Sequence, residues 1–169
     1  MSTDHSHKRK PRPSWDEYFL FRILPEVATR STCLRRQVGA IVTVNNRIVA
    51  TGYNGAPSGV RSCDEIGYCN KDRMGLPSGT GHEQCLASHS EQNCINSAAR
   101  SGVSIDGGTM YVNVRPCVHC AKSIINSGIR RIIYQKDYPD ELSLRLLSEA
   151  GIQLIRLDPP EESNKPDSD

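Results

Sequence analysis

A chain of 169 residues, 37% hydrophobic and 24% charged, is long enough for one domain with a real core. Its net charge of +2 advertises no polyanionic partner such as nucleic acid, no apolar run is long enough to span a membrane, and no signal peptide precedes its seven cysteines. An odd cysteine count with one C-x-x-C points to a reducing, cytoplasmic setting in which thiols serve metal rather than a disulfide framework.

Residues 1–13 are polar and basic without periodicity and read as a disordered tail, with Lys8-Arg9-Lys10-Pro11-Arg12 as its charge run. Ser14 then caps a helix, and Glu17 completes a capping box. Phe19, Ile23, Leu24 and Val27 form the apolar stripe of that helix, which runs to about Arg30. Two β-rich runs, 38–44 and 48–51, joined by Asn45-Asn46-Arg47, give a hairpin signal. Gly52-Tyr-Asn-Gly-Ala-Pro-Ser-Gly59 is a loop suited to close approach of backbone to a ligand. The stretch 60–82 continues without periodicity but carries Cys63, Cys69 and His82, and so long a loop in a small domain favours function.

Helices are expected over 89–101, with Cys94, Ile95, Ala98 and Ala99 inward and Gly102 past the end, over 117–127, and over 140–150 with Leu142, Leu146 and Leu147 inward. Strands are expected over 109–114, 131–134 and 152–157, and the acidic tail 158–169 reads as disordered. The order predicts a single domain over 14–157, a three-layer α/β/α sandwich with a mixed five-stranded sheet.

The chemistry lies in His89-x-Glu91 and Pro116-Cys117-x-x-Cys120. One imidazole and two thiolates suit a tetrahedral zinc with an open fourth position, and Cys117 and Cys120 fall at a helix start where backbone N–H groups favour thiolates. Glu91, one helical turn from the histidine ligand, can reach a water at the open position without binding the metal itself. A structural half-site or a redox pair would explain the C-x-x-C but leave H-x-E without a purpose. The paired half-motifs are the signature of zinc nucleobase deaminases.

The chain resembles the cytidine deaminase superfamily and, within it, the deoxycytidylate (dCMP) deaminases, over roughly residues 14–157. The likeness is carried by Ser14-Trp-Asp-Glu-Tyr18, by 28–40 (Ala-Thr-Arg-Ser-Thr-Cys-Leu-Arg-Arg-Gln-Val-Gly-Ala), by 51–59, by His89-x-Glu91-Gln-Asn93, by Pro116-Cys-x-x-Cys-Ala-Lys122 and by Tyr134-x-x-Asp-Tyr138. Ser90 and Cys94 stand where the family often shows alanine, and Arg115 where something smaller or neutral is usual. Cys94 reads as a small buried hydrophobe.

The resemblance implies a cytidine deaminase-like fold and hydrolytic deamination of dCMP to dUMP and ammonia, with Glu91 as proton carrier and dUMP passing to dTMP synthesis. It implies Asn54 at the sugar, with Tyr134 and Tyr138 as further substrate contacts, while Arg30, Arg35, Arg36, Arg61 and Lys122 all remain open as partners of the monophosphate. It also implies a homo-oligomer, a hexamer, activated by dCTP with Mg2+ and inhibited by dTTP. Arg35, Arg36, Gly52 and Gly59 look able to hold a triphosphate, with Arg100 coupling that site to the metal. A second, structural zinc is also expected on Cys33, Cys63, His82 and Cys85, with Cys69 in reserve for Cys63: His82 and Cys85 have the spacing of a zinc half-site, the resemblance implies Cys33 and Cys63, and a metal cross-link would order a loop poor in apolar residues. Two other readings stand beside this one: a tRNA adenosine or other nucleobase deaminase, whose basic RNA surface the charge does not favour, and a non-catalytic zinc-binding accessory protein, which leaves Glu91 unused.

Overall fold

The structure, a computed structural model, describes residues 12–160. Most of both expected tails falls outside those residues. The chain enters through α1 (Trp15–Glu17), a π-helical stretch (Tyr18–Ile23) and α2 (Leu24–Ala28). Ser14 caps α1 through the expected capping box, its hydroxyl accepting from Glu17 N at 3.2 Å and its own N–H donating to Glu17 at 2.7 Å. Pro25 has no N–H to continue an i−4 ladder, and the stretch before it takes the wider i−5 spacing. The wider turn moves the buried face. Phe19, Leu20, Leu24 and Ala28 are buried, while Ile23 and Val27, expected inward, sit at the edge of the packing.

The strands are β1 (Gly39–Val44), β2 (Arg47–Tyr53), β3 (Thr109–Val114), β4 (Arg131–Lys136) and β5 (Gln153–Arg156), in the sheet order β2-β1-β3-β4-β5. β1 runs antiparallel to both β2 and β3, and β3, β4 and β5 run parallel. The hairpin turn is Asn45-Asn46 alone, both with φ near +55° (51° and 57°), and Arg47 already pairs with Val44. Two left-handed asparagines match the right-handed twist of the flanking strands.

Between β2 and β3 lie two short helices, α3 (Cys63–Ile66) and α4 (Asn70–Arg73), a 3-10 turn (His82–Gln84) and then α5 (Ser90–Ser101). The loop expected over 60–82 therefore holds local structure too short to leave a periodicity. α6 (Val118–Asn126) and α7 (Glu141–Glu149) connect the parallel strands. Side chains alternate across the sheet. Ile41, Tyr111 and Ile133 face the entering helical segment, while Ala40, Val42, Met110, Val112 and Ile132 face Cys94, Ala98, Ala121, Ile124 and Leu147 of α5, α6 and α7. Leu142, expected inward, is exposed, and Ser143 takes the buried position in its place. Asp16 joins the layers: it accepts from the Tyr111 hydroxyl at 2.8 Å and from Arg131 at 3.1 Å. Among the described residues no helix is long and apolar enough to cross a membrane.

Candidate metal centre and reaction cavity

β3 ends where α6 begins, and the chain between them is the metal motif. Cys117 is the N-cap of α6 and Cys120 lies three residues on, so both sulfurs gather where the first N–H groups of the helix lack intrahelical partners. His89 is the N-cap of α5, beside it, with Asn93 N–H bonded to its carbonyl at 3.0 Å. The His89 Nδ1 lies 3.5 Å from Cys117 Sγ and 3.4 Å from Cys120 Sγ. Ligands at zinc–nitrogen and zinc–sulfur bond lengths in a tetrahedron stand roughly 3.6 Å apart, so this donor set fits the ion. Among the described residues it is the one group of three His, Cys, Asp or Glu whose ligand atoms all lie within 4.8 Å of one another. Hydrogen bonds from Cys120 and His89 outweigh burial and push the Cys117 thiol down to about 3, while the proton left on Cys120 is held harder. A bound metal takes that proton's place.

Glu91, the second residue of α5, is 5% exposed, and one carboxylate oxygen accepts from the Ser90 hydroxyl at 3.0 Å. Burial pushes its carboxyl above the ordinary carboxylate range. It lines the same cavity as His89 and Cys117.

The rest of the cavity wall comes from 33–38, Asn54, residues between 63 and 87, the end of β3 and Tyr138. Asn54 is buried there, its Oδ1 accepting from Val38 N–H at 2.9 Å and its Nδ2 donating to the Arg36 carbonyl at 2.9 Å. One amide hydrogen and one lone pair are left for a ligand. Tyr138 lines the cavity with its hydroxyl 3.5 Å from His82 Nε2. Tyr134 instead packs into the core with the residues beneath α6. Arg35 and Arg36 line the cavity, whereas Arg30, Arg61 and Lys122 are exposed elsewhere.

Arg115 is 5% exposed yet spends itself on the 137–140 loop, donating to Asp137 at 3.2 Å, to the Asp140 carbonyl at 3.3 Å and to the Tyr138 carbonyl. Asp140 in turn accepts from Val118 N–H at 2.8 Å and from Ser143 N–H at 3.0 Å, and the Ser143 hydroxyl donates to the Pro116 carbonyl at 2.6 Å. This network fixes the start of α6 and the Tyr138 loop together. Only the spacing Asp140-x-x-Ser143, a helix cap, marks it in the sequence.

The residues expected to hold a regulatory triphosphate are spread out. Arg35 and Arg36 belong to the metal cavity, Gly59 and Arg100 are exposed, and Gly52 sits under α5, where a side chain would meet the Cys94 and Ser90 backbone at 2.3 Å. Packing is what Gly52 serves. The second expected metal set is also rearranged. Cys33, Cys63 and Cys85 line the cavity together with Cys69, and burial together with the neighbouring Cys69, Cys33 and Cys85 pushes the Cys63 thiol up. His82 has turned to the metal centre, its ring 5.1 Å from that of His89 and 5.8 Å from that of His119. Lys71, which the sequence did not single out, is 6% exposed and lines the cavity.

Residues 13–136 match the family model described as the cytidine and deoxycytidylate deaminase zinc-binding region. The chain belongs to this family. It is 37% identical over 153 residues to the deoxycytidylate deaminase of Schizosaccharomyces pombe, which covers 90% of this chain and 47% of that protein. The chain thus spans about half the length of the yeast relatives it matches, 47% of each. It is 40% identical over 131 residues to the deoxycytidylate deaminase of Mycobacterium phage D29, covering 75% of this chain and 98% of the phage protein. The crystal structure of dCMP deaminase from the cyanophage S-TIM5 in complex with dCMP and dUMP superimposes with a TM-score of 0.71 at 28% identity, covering 88% of this chain and all (100%) of that one.

Proposed function

We propose that the chain is a cytoplasmic, zinc-dependent deoxycytidylate deaminase that hydrolyses dCMP to dUMP and ammonia, the dUMP supplying dTMP synthesis. One observation carries this reading: a buried carboxylate, Glu91, shares a cavity with a His–Cys–Cys donor set of zinc dimensions. The relatives named above support the choice of substrate. His89, Cys117 and Cys120 would hold the zinc, which when bound would make a water acidic enough to react near neutral pH. Glu91 would take a proton from the attacking water and deliver it to N3 of the cytosine as the water oxygen bonds to C4, and would then carry the proton of the new C4 hydroxyl to the amino nitrogen as the C4–N bond breaks and ammonia leaves. Asn54 offers its free amide hydrogen and lone pair to the sugar, and Tyr138 bounds the ring from the cavity wall. Ammonia release from dCMP, dCTP, cytidine and a tRNA anticodon stem tests the reading. Release is expected chiefly from dCMP; release from RNA alone would replace the substrate, and zinc-loaded protein silent on all four would return the accessory role.

The same assay tests regulation. We infer that a homo-oligomer, a hexamer, is activated by dCTP with Mg2+ and inhibited by dTTP. Arg100 supports this, since it is exposed on the last turn of the helix whose first turn carries Glu91. Hyperbolic dCMP kinetics unmoved by either nucleotide would exclude it.

We also infer a second, structural zinc on Cys33, Cys63, Cys69 and Cys85, which line one cavity, with Cys69 in place of His82; no three of their sulfurs lie within 4.8 Å of one another, so the ion would have to draw them together. Four thiolates close a tetrahedral site and leave no position for substrate. The purified protein should then hold about two zinc per chain. Cys85→Ser should lower this toward one and loosen the 60–85 segment, and a single zinc unaffected by Cys85→Ser would remove the second site.

A further inference from the structure

The apolar pattern of 140–150 would bury Leu142, yet Leu142 is 42% exposed and its neighbour Ser143 is fully buried at 0%. A buried hydroxyl is costly unless it is hydrogen-bonded, so a helix that turns a leucine out to bring a serine in depends on the bond the serine makes. That bond leaves α7. The Ser143 hydroxyl donates at 2.6 Å to the carbonyl of Pro116, the residue before Cys117.

Asp140 grips the other side of Cys117. As the N-cap of α7, it accepts from Ser143 N–H at 3.0 Å through one oxygen. Its second oxygen accepts at 2.8 Å from the N–H of Val118, the residue after Cys117. Val118 opens α6, where that N–H has no partner within the helix. One carboxylate thus bridges the starts of two helices. Cys117 lies between two residues bonded to α7, and Cys120 follows within the first turn of α6. Arg115 keeps Asp140 in reach by donating to its carbonyl, to the Tyr138 carbonyl and to Asp137. Asp140 itself neither lines the cavity nor belongs to the His89, Cys117 and Cys120 donor set.

We propose that Asp140 and Ser143 are the positioning pair of the metal centre, holding the Cys117 and Cys120 sulfurs from α7 in the arrangement that a tetrahedral ion needs. The proposal rests on the metal reading of the His89, Cys117 and Cys120 set and adds the residues that tune its affinity. Donors fixed in advance lose less freedom when the ion binds. Removing a group that orients metal ligands costs about 10- to 100-fold in affinity.

The test uses the full chain loaded with Co2+, whose d–d and sulfur-to-metal bands report tetrahedral thiolate coordination. A chelator titration that follows the loss of those bands gives the affinity, and Cys117→Ser, loaded in the same way, is the blank for metal held by other thiols. Asp140→Asn keeps the size and the capping quality of the side chain but replaces one accepting oxygen with a donor, so the bridge between the two helices breaks. Its affinity should fall about 10- to 100-fold and its bands should shift. Ser143→Ala should move both in the same direction and stands in if Asp140→Asn does not fold. Leu147→Val, at a fully buried position of the same helix, should lower the melting temperature and leave titration and bands as in wild type. Asp140→Asn and Ser143→Ala proteins with wild-type titration and bands, or with losses no greater than that of Leu147→Val, overturn the proposal. Wild type without bands above the blank would refute the metal reading and the proposal together. Wild type with those bands but no deamination of dCMP would refute the deaminase reading alone, and the titrations of the variants still decide the proposal.

Discussion

Glu91→Gln is expected to bind zinc as the parent does and to lose activity about a thousandfold or more. Glutamine has the size of glutamate and can still accept from the Ser90 hydroxyl, so the start of α5 and its His89 ligand stay where they are. What it cannot do is carry a proton to N3 and then to the departing amino group. Folded stability should not fall, because burial already disfavours the charged carboxylate at this position. Activity and metal content measured on the same preparation separate the outcomes. A zinc-loaded variant that deaminates near the parental rate would show that another group moves the protons.

Gly52→Ala is expected to be nearly as damaging without touching the chemistry. A Cβ there would stand 2.3 Å from Cys94 N and from the Ser90 carbonyl, both rigid backbone of α5. Neither atom belongs to a side chain that can rotate away, so α5 must leave the sheet, at a cost of about 3 kcal/mol or more. His89 starts that helix, and zinc retention should fall with stability. Gly59→Ala is the comparison. Its φ of +82° is unfavourable for alanine, but nothing lies within 4 Å, and about 1 kcal/mol is expected. A Gly52→Ala protein as stable to heat as Gly59→Ala would mean that α5 and β2 are not in the contact described.

The metal motif was legible because its chemistry admits few residue types at fixed spacings, and both halves fall at helix starts that the glycine stops at 102 and 128 help to delimit. Strands such as Thr109–Val114 were equally plain, since a β-rich run between two helical patterns has one reading. The shift from Ile23 to Leu20 was not. A π turn alters the period itself, and no periodicity argument survives a change of period. Lys71 was illegible for a different reason. It sits in a four-residue helix between two turns, and its burial comes from the loops folding over the cavity rather than from any pattern around it. Gly52 was noticed for the wrong property: its missing side chain admits a helix, where the loop suggested a phosphate.

The sheet order implies a sequence of folding events. β1 and β2 form a hairpin from near neighbours, and β3 to β5 form a second unit through α6 and α7, with short connections throughout. The two units meet along one seam, where Ala40 stands opposite Val112 across more than sixty intervening residues. Closing so long a loop is entropically costly and slow, and it follows the local pairings rather than leading them. His89 starts the helix packed on the hairpin side, while Cys117 and Cys120 belong to the other unit. The three donors therefore remain separate until the seam closes. Capture of an ion by these three donors would then be a late step in folding, and it would clamp the junction of the sheet whose closure spans the longest stretch of chain.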